Sequence, residues 1–82
     1  MTPNQPGMIS SVYFIGIGGI GMSALARYFN LQGASVSGYD KTPTALTARL
    51  IEEGIPIHFT EDLHLIPSHP DLVVYTPAVP SD

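Results

Sequence analysis

The sequence predicts an α/β fold built on a parallel sheet, and two observations carry that prediction. An apolar run, Val12-Tyr13-Phe14-Ile15, passes directly into a glycine-rich turn and then into a helical pattern. Beyond it, strand-like and helix-like stretches alternate with short connections, the arrangement that gives parallel strands joined by right-handed crossovers. A Rossmann-like three-layer parallel sheet follows, with strand order 3-2-1-4.

The first strand is read as Val12 to Ile17, continuously apolar and β-branched or aromatic, as a strand buried on both faces should be. A helix follows from about Gly19 to Gln32, with Met22, Leu25, Ala26 and Phe29 forming one apolar stripe and Gly33 as its stop. Strand two covers Ala34 to Tyr39 and ends at Asp40. Thr42 and Pro43 read as cap and first residue of a second helix, which runs to Glu53 with Leu46 and Leu50 inward; Gly54 closes it. The third strand, Ile55 to Phe59, contains Pro56, which suits an edge. Thr60, Glu61 and Asp62 open a single helical turn, and Asp71 to Thr76 forms the fourth strand. The sheet reads as an incomplete fragment of a larger one, stopping in a connecting loop at Pro80-Ser81-Asp82. Residues 1–8 read as a flexible polar tail and 9–82 as one domain.

Composition narrows the function. At 82 residues and 44% hydrophobic, the chain is a small globular domain. A net charge of −4, with only Arg27, Lys41 and Arg49 as fixed cations, argues against nucleic acid as a partner. No apolar run approaches the ~20 residues of a membrane span, and the N-terminus lacks the pattern of a signal peptide, so a cytoplasmic protein with no membrane partner is expected. Cysteine is absent. His58, His64 and His69 are spaced six and five apart and make no recognisable ligand set, so no metal site is expected. No nucleophile–base pair is apparent, and no catalytic residue is assigned.

The chemistry gathers at the turn. Gly16, Gly18 and Gly21 satisfy G-x-G-x-x-G between a strand and a helix, the context that motif requires. Gly16 permits the tight turn, Gly18 lets a diphosphate approach the backbone, and Gly21 lets the helix lie close to the strand. With so few cations, any phosphate must be held by backbone amides at the positive end of the helix. Asp40 lies 19 residues beyond Gly21, near the offset of an acid that accepts hydrogen bonds from a ribose diol; the other reading is a turn residue capping the next helix. Ser23 either adds its hydroxyl to the cradle or bonds back to the local backbone. Thr76 either points into the crevice or merely ends its strand. Lys41 reads as a solvated side chain.

The run Phe14-Ile15-Gly16-Ile17-Gly18-Gly19-Ile20-Gly21-Met22-Ser23 resembles the N-terminal signature of the Mur ligases. Val36-Ser37-Gly38-Tyr39-Asp40 is similar to that family's second strand, and Leu72-Val73-Val74-Tyr75-Thr76-Pro77-Ala78-Val79-Pro80 to its fourth strand and following loop, where serine is commoner than Thr76. The resemblance is greatest to the members that join L-alanine to UDP-N-acetylmuramate in peptidoglycan synthesis. It implies a three-domain cytoplasmic enzyme that uses ATP and Mg²⁺ through an acyl-phosphate intermediate. It also implies that ATP and L-alanine bind domains missing from this chain, which itself holds no cofactor and only the UDP part of UDP-N-acetylmuramate. By that implication Gly18, Gly19, Ile20, Gly21, Met22 and Ser23 face the diphosphate, Asp40 and Thr76 the uridine side, and Gly16 belongs to the same UDP-binding set. Gly16, Gly18, Gly21 and Asp40 would serve equally in an NAD-binding module of a dehydrogenase or of a transporter-regulating domain. Leu25 departs from the small residue usual there in dinucleotide-binding domains, and Gly19 with Met22-Ser23 favours the ligase. The family's tripeptide-recycling ligase ranks lower, since its loop usually interrupts the glycine run.

Overall fold

The computed structural model describes residues 9–76, so the tail and the loop after Thr76 lie outside the described residues. Four parallel strands form one sheet in the order β3-β2-β1-β4: β1 Ser11–Ile15, β2 Ser35–Tyr39, β3 Ile57–His58 and β4 Leu72–Val74. Helix α1 spans Ile20–Leu31 between β1 and β2, and α2 spans Ala45–Glu52 between β2 and β3. The predicted order of elements and of strands is the observed one.

The register of β1 sets Val12 and Phe14 against Val36 and Gly38 on one side and against Leu72 and Val74 on the other. Side chains of parallel neighbours share a face, so these residues present one apolar surface to the helices. There Val12, Phe14 and Val36 pack with Met22 and Ala26 of α1, Leu50 of α2 and Ile17 and Ile55 from the turns. The other face carries Tyr13, Ile15, Ser37 and Tyr39, and the β3–β4 connection with its single 3-10 turn, Leu63–Leu65, lies over part of it.

Boundaries moved where local hydrogen bonding outweighed pattern. Ile17 is fully buried but sits in the turn, because the amides of Gly16 and Ile17 both donate to the Tyr39 carbonyl, at 2.7 and 3.1 Å, and leave the ladder. Helix α2 is capped by Thr44 rather than Thr42. The Thr44 hydroxyl accepts from the Thr47 amide at 3.1 Å while the Thr47 hydroxyl accepts from the Thr44 amide at 2.8 Å, a reciprocal box that fixes the start two residues later. Pro43 therefore lies outside the helix. Leu50 points inward as predicted, and Leu46 is half-buried. On α1 the stripe is Met22, Ser23, Ala26 and Phe29; Leu25 is 40% exposed, one position off the buried face. Strand β3 keeps only two residues, since Pro56 has no amide to donate and enters the sheet through its carbonyl, which accepts from Gly38. The turn predicted at Thr60 begins later, at Leu63, with the Asp62 carboxylate accepting from the His64 amide. Gly33 and Gly54 end the two helices with φ of +92° and +95°, as predicted.

Two clasps join distant segments. The Asp71 carboxylate accepts from the amides of Ser10 and Ser11 at 2.8 and 3.1 Å, tying the start of β4 to the start of β1. Arg27 of α1 donates two hydrogen bonds to Glu53 at the end of α2, which holds the glutamate below the usual carboxylate range.

Candidate functional site

The C-terminal ends of β1 and β2 deliver the glycine turn and Asp40 to the same edge of the sheet, where ligands bind in open parallel sheets. Gly16 has φ of +84°, which only glycine adopts readily, and the Gly19 amide closes the turn on the Gly16 carbonyl at 3.1 Å. Gly19 then caps α1 with no side-chain hydrogen bond, and no acidic residue occupies the first helical turn. The first intrahelical bond runs from the Ser23 amide to the Gly19 carbonyl, at 2.7 Å. The amides of Ile20, Gly21 and Met22 find no acceptor among the described residues. Three free donors thus sit at the positive end of the α1 dipole, an arrangement that favours an anion.

The four glycines of the turn divide into two kinds. A β-carbon on Gly18 would lie 2.7 Å from Asp40 Oδ2 and 3.0 Å from Thr47 Cγ2, so a side chain there would displace the Asp40 carboxylate from the loop and crowd Thr47. Gly16 is required by its backbone angle. At Gly19 a β-carbon would meet nothing closer than 3.5 Å, and at Gly21 nothing within 4 Å; neither has positive φ. The close helix–strand approach predicted for Gly21 is therefore absent. Both residues are exposed, and they stand beside the free amides.

Asp40 bridges two segments: Oδ2 accepts from the Gly18 amide at 2.7 Å and Oδ1 from the Thr42 amide at 3.0 Å. The bond to the Thr42 amide is that of a turn residue, although α2 itself is capped by Thr44. Ser23 is 3% exposed, and its hydroxyl donates to the Ile20 carbonyl at 2.9 Å, the local alternative. Met22 is buried, Ile20 is 86% exposed, and Thr76 is exposed just past β4. Lys41 is exposed, as expected of a solvated side chain.

Next to Asp40, on the sheet face away from the helices, Tyr13, Ile15, Tyr39, His58, Glu61 and Ile66 line a cleft of about 220 Å³. His58 Nδ1 lies 2.8 Å from the Thr60 carbonyl, which can only accept, so the neutral ring carries its proton there. Nε2 then accepts from the Tyr13 hydroxyl, 2.7 Å away. Burial raises the Tyr13 hydroxyl, and burial with the neighbouring Glu61 raises that of Tyr39, so both stay protonated donors at neutral pH. Sequence reasoning weighed His58 as a metal ligand and missed its tyrosine partner. The alternation of β1 could have found it, because Tyr13 faces away from Val12 and Phe14. Gly38 was missed as well; a glycine inside a strand signals a close approach, here by Ile17.

Residues 11–82 match the family described as Mur ligase family, catalytic domain. The chain belongs to the Mur ligase family. Among its relatives is the UDP-N-acetylmuramate–L-alanine ligase of Flavobacterium johnsoniae, 64% identical over 77 residues, which are 89% of this chain and 17% of that protein. The ligase of the same name from Porphyromonas gingivalis is 59% identical over 76 residues, 87% of this chain and 17% of that one. The solved structure of UDP-N-acetylmuramate-alanine ligase from Thermotoga maritima superposes with a TM-score of 0.77 at 43% identity, covering 85% of this chain and 16% of that chain. This Mur ligase chain thus spans about 17% of the length of the curated relatives it matches. The dehydrogenase reading of the same glycines is not supported by these matches.

Proposed function

We propose that residues 9–82 are the UDP-substrate-binding domain of a cytoplasmic ligase that joins L-alanine to UDP-N-acetylmuramate, with ATP and Mg²⁺, in peptidoglycan synthesis. The observation that carries this reading is the bare backbone at Gly19 and Gly21 beside the free amides of Ile20, Gly21 and Met22. Neither position is closed to a side chain by packing or by backbone angle, and within the helix glycine at Gly21 costs up to about 1 kcal/mol relative to alanine. Glycine is worth that cost where a ligand's phosphates must reach the main chain.

In this reading Gly16, Gly18 and Ser23 shape the loop, Gly19 leaves the backbone bare, and Ile20, Gly21 and Met22 present amides to the diphosphate. Asp40 accepts from the ribose hydroxyls, and Thr76 stands on the uridine side. The cleft beside Asp40, with Tyr39 and His58 as aromatic walls and Glu61 as an acceptor, is the place for the base. Both oxygens of Asp40, the acid nearest the loop, already accept from amides, and among the described residues no three His, Cys, Asp or Glu side chains gather as a metal set. In this reading ATP, Mg²⁺ and L-alanine bind other parts of the ligase. The role of this chain is to bind and orient the nucleotide end of the substrate.

The test is a titration of the chain with UDP-N-acetylmuramate, UDP and NAD, followed through backbone amide resonances. The ligands carrying UDP should move Ile20, Gly21 and Met22. A response to NAD with none to UDP would overturn the reading.

A further inference from the structure

The Asp40 carboxylate joins two segments at the end of the sheet where a ligand would bind. Its Oδ2 holds the Gly18 amide at 2.7 Å, inside the glycine loop, and its Oδ1 holds the Thr42 amide at 3.0 Å, in the turn leading to α2. Gly18 lacks the β-carbon that would stand 2.7 Å from that same oxygen, so the close approach is built into both partners. A hydrogen bond from an amide to a carboxylate is among the stronger ones in a protein. It also removes the Gly18 amide from the set available to a phosphate, leaving those of Ile20, Gly21 and Met22.

We propose that Asp40 is a positioning residue for the glycine loop, acting through Gly18, in addition to any hydrogen bond it makes to a sugar. A carboxylate offers about four lone-pair directions, and two amides use about half of them. The same group can therefore keep the loop in place and still accept from a diol. The ribose end and the diphosphate end of a nucleotide are then fixed relative to each other by one side chain. This deepens the proposed function and rests on it for the identity of the nucleotide. The tie between Asp40 and the loop stands on the geometry alone.

Inorganic pyrophosphate separates the two roles, because it has no sugar. Removing a carboxylate beside an anion site should by itself strengthen pyrophosphate binding, since like charges repel. If Asp40 positions the loop, Asp40→Ala instead weakens pyrophosphate by roughly tenfold, the scale of one charged hydrogen bond. Amide exchange at Gly18 accelerates in the same variant, while exchange at Phe14 and Val36 in the sheet does not. Asp40→Asn, which keeps one acceptor oxygen, recovers part of both effects and serves if the alanine variant fails to fold. Unchanged or tighter pyrophosphate binding in Asp40→Ala overturns the proposal, whatever happens at the Gly18 amide. A wild-type chain that binds pyrophosphate but not UDP, with the alanine variant weakened, sinks the uridine reading and upholds this one. A wild-type chain that binds neither overturns both.

Discussion

Gly38 and Ile17 are in contact across the turn that leaves β1: a β-carbon on Gly38 would lie 2.7 Å from Ile17 Cδ1 and 2.9 Å from the Phe14 carbonyl oxygen. Ile17 is fully buried, and the Phe14 carbonyl is part of the β1 backbone. Gly38→Ala should therefore overpack the core under the loop and destabilise the chain by about 1–3 kcal/mol. A lowered midpoint of chemical denaturation checks this. A variant as stable as the parent would mean that the loop can shift outward without cost.

Gly21 predicts the opposite sign. A side chain there meets nothing within 4 Å and the backbone angle is ordinary, so Gly21→Ala should stabilise the fold by up to about 1 kcal/mol. Its methyl would stand beside the three free amides, and UDP affinity should fall by at least roughly tenfold, the loss of about one charged hydrogen bond. Denaturation and titration on the same sample would show stability and binding moving apart, a trade-off expected at a binding site.

Gly18→Val acts by a different route. A valine β-carbon would collide with Asp40 and Thr47 of the protein itself, before any ligand arrives. The variant should lose UDP binding and release the Asp40 clasp while the β1–β2 ladder persists. Combined with Asp40→Ala, its effect on affinity should be less than additive, since both break one tie. Full additivity would argue that the two residues act separately.

The Arg27–Glu53 pair gives a pH dependence. Its hydrogen bonds to Arg27 lower the Glu53 carboxyl below its ordinary value. Such a group stabilises the fold fully above the unfolded value and loses that contribution as pH falls through the folded one. The difference in stability between the parent and Glu53→Gln should be constant near neutrality and shrink below the ordinary glutamate range. It should be small throughout, because both side chains are more than a third exposed, and smaller still in high salt. Denaturation midpoints of both proteins across acidic pH would measure it.

Much of the molecule was legible in the order of its residues. The strands announce themselves by β-branched and aromatic runs, and Gly16, Gly33 and Gly54 mark the places where the backbone turns left-handed. What escaped was set by partners distant in sequence or by local bonds that compete with pattern. The residue pattern pointed to Thr42 as the cap of α2; the Thr47 hydroxyl chooses Thr44, and Asp40 takes the Thr42 amide. Leu25 fits an apolar stripe on paper, yet the buried position beside Met22 goes to Ser23, whose hydroxyl is satisfied within its own turn. At the site, the glycine spacing located the loop and the acid. It could not say that Gly18 and Asp40 would hold each other, because that depends on two strands lying side by side in one register.

The Asp71 clasp has a consequence for the outer side of the sheet. By accepting from the Ser10 and Ser11 amides, Asp71 fixes which residue of β4 stands opposite each residue of β1. A slip of one residue would exchange Val73 for its neighbours between the two faces. The phase of β4 is thus decided one residue before the strand begins, and from its inner side. Any strand that comes to lie along its outer flank, unpaired among the described residues, meets a template already set, and inherits its alignment from a carboxylate that it never touches.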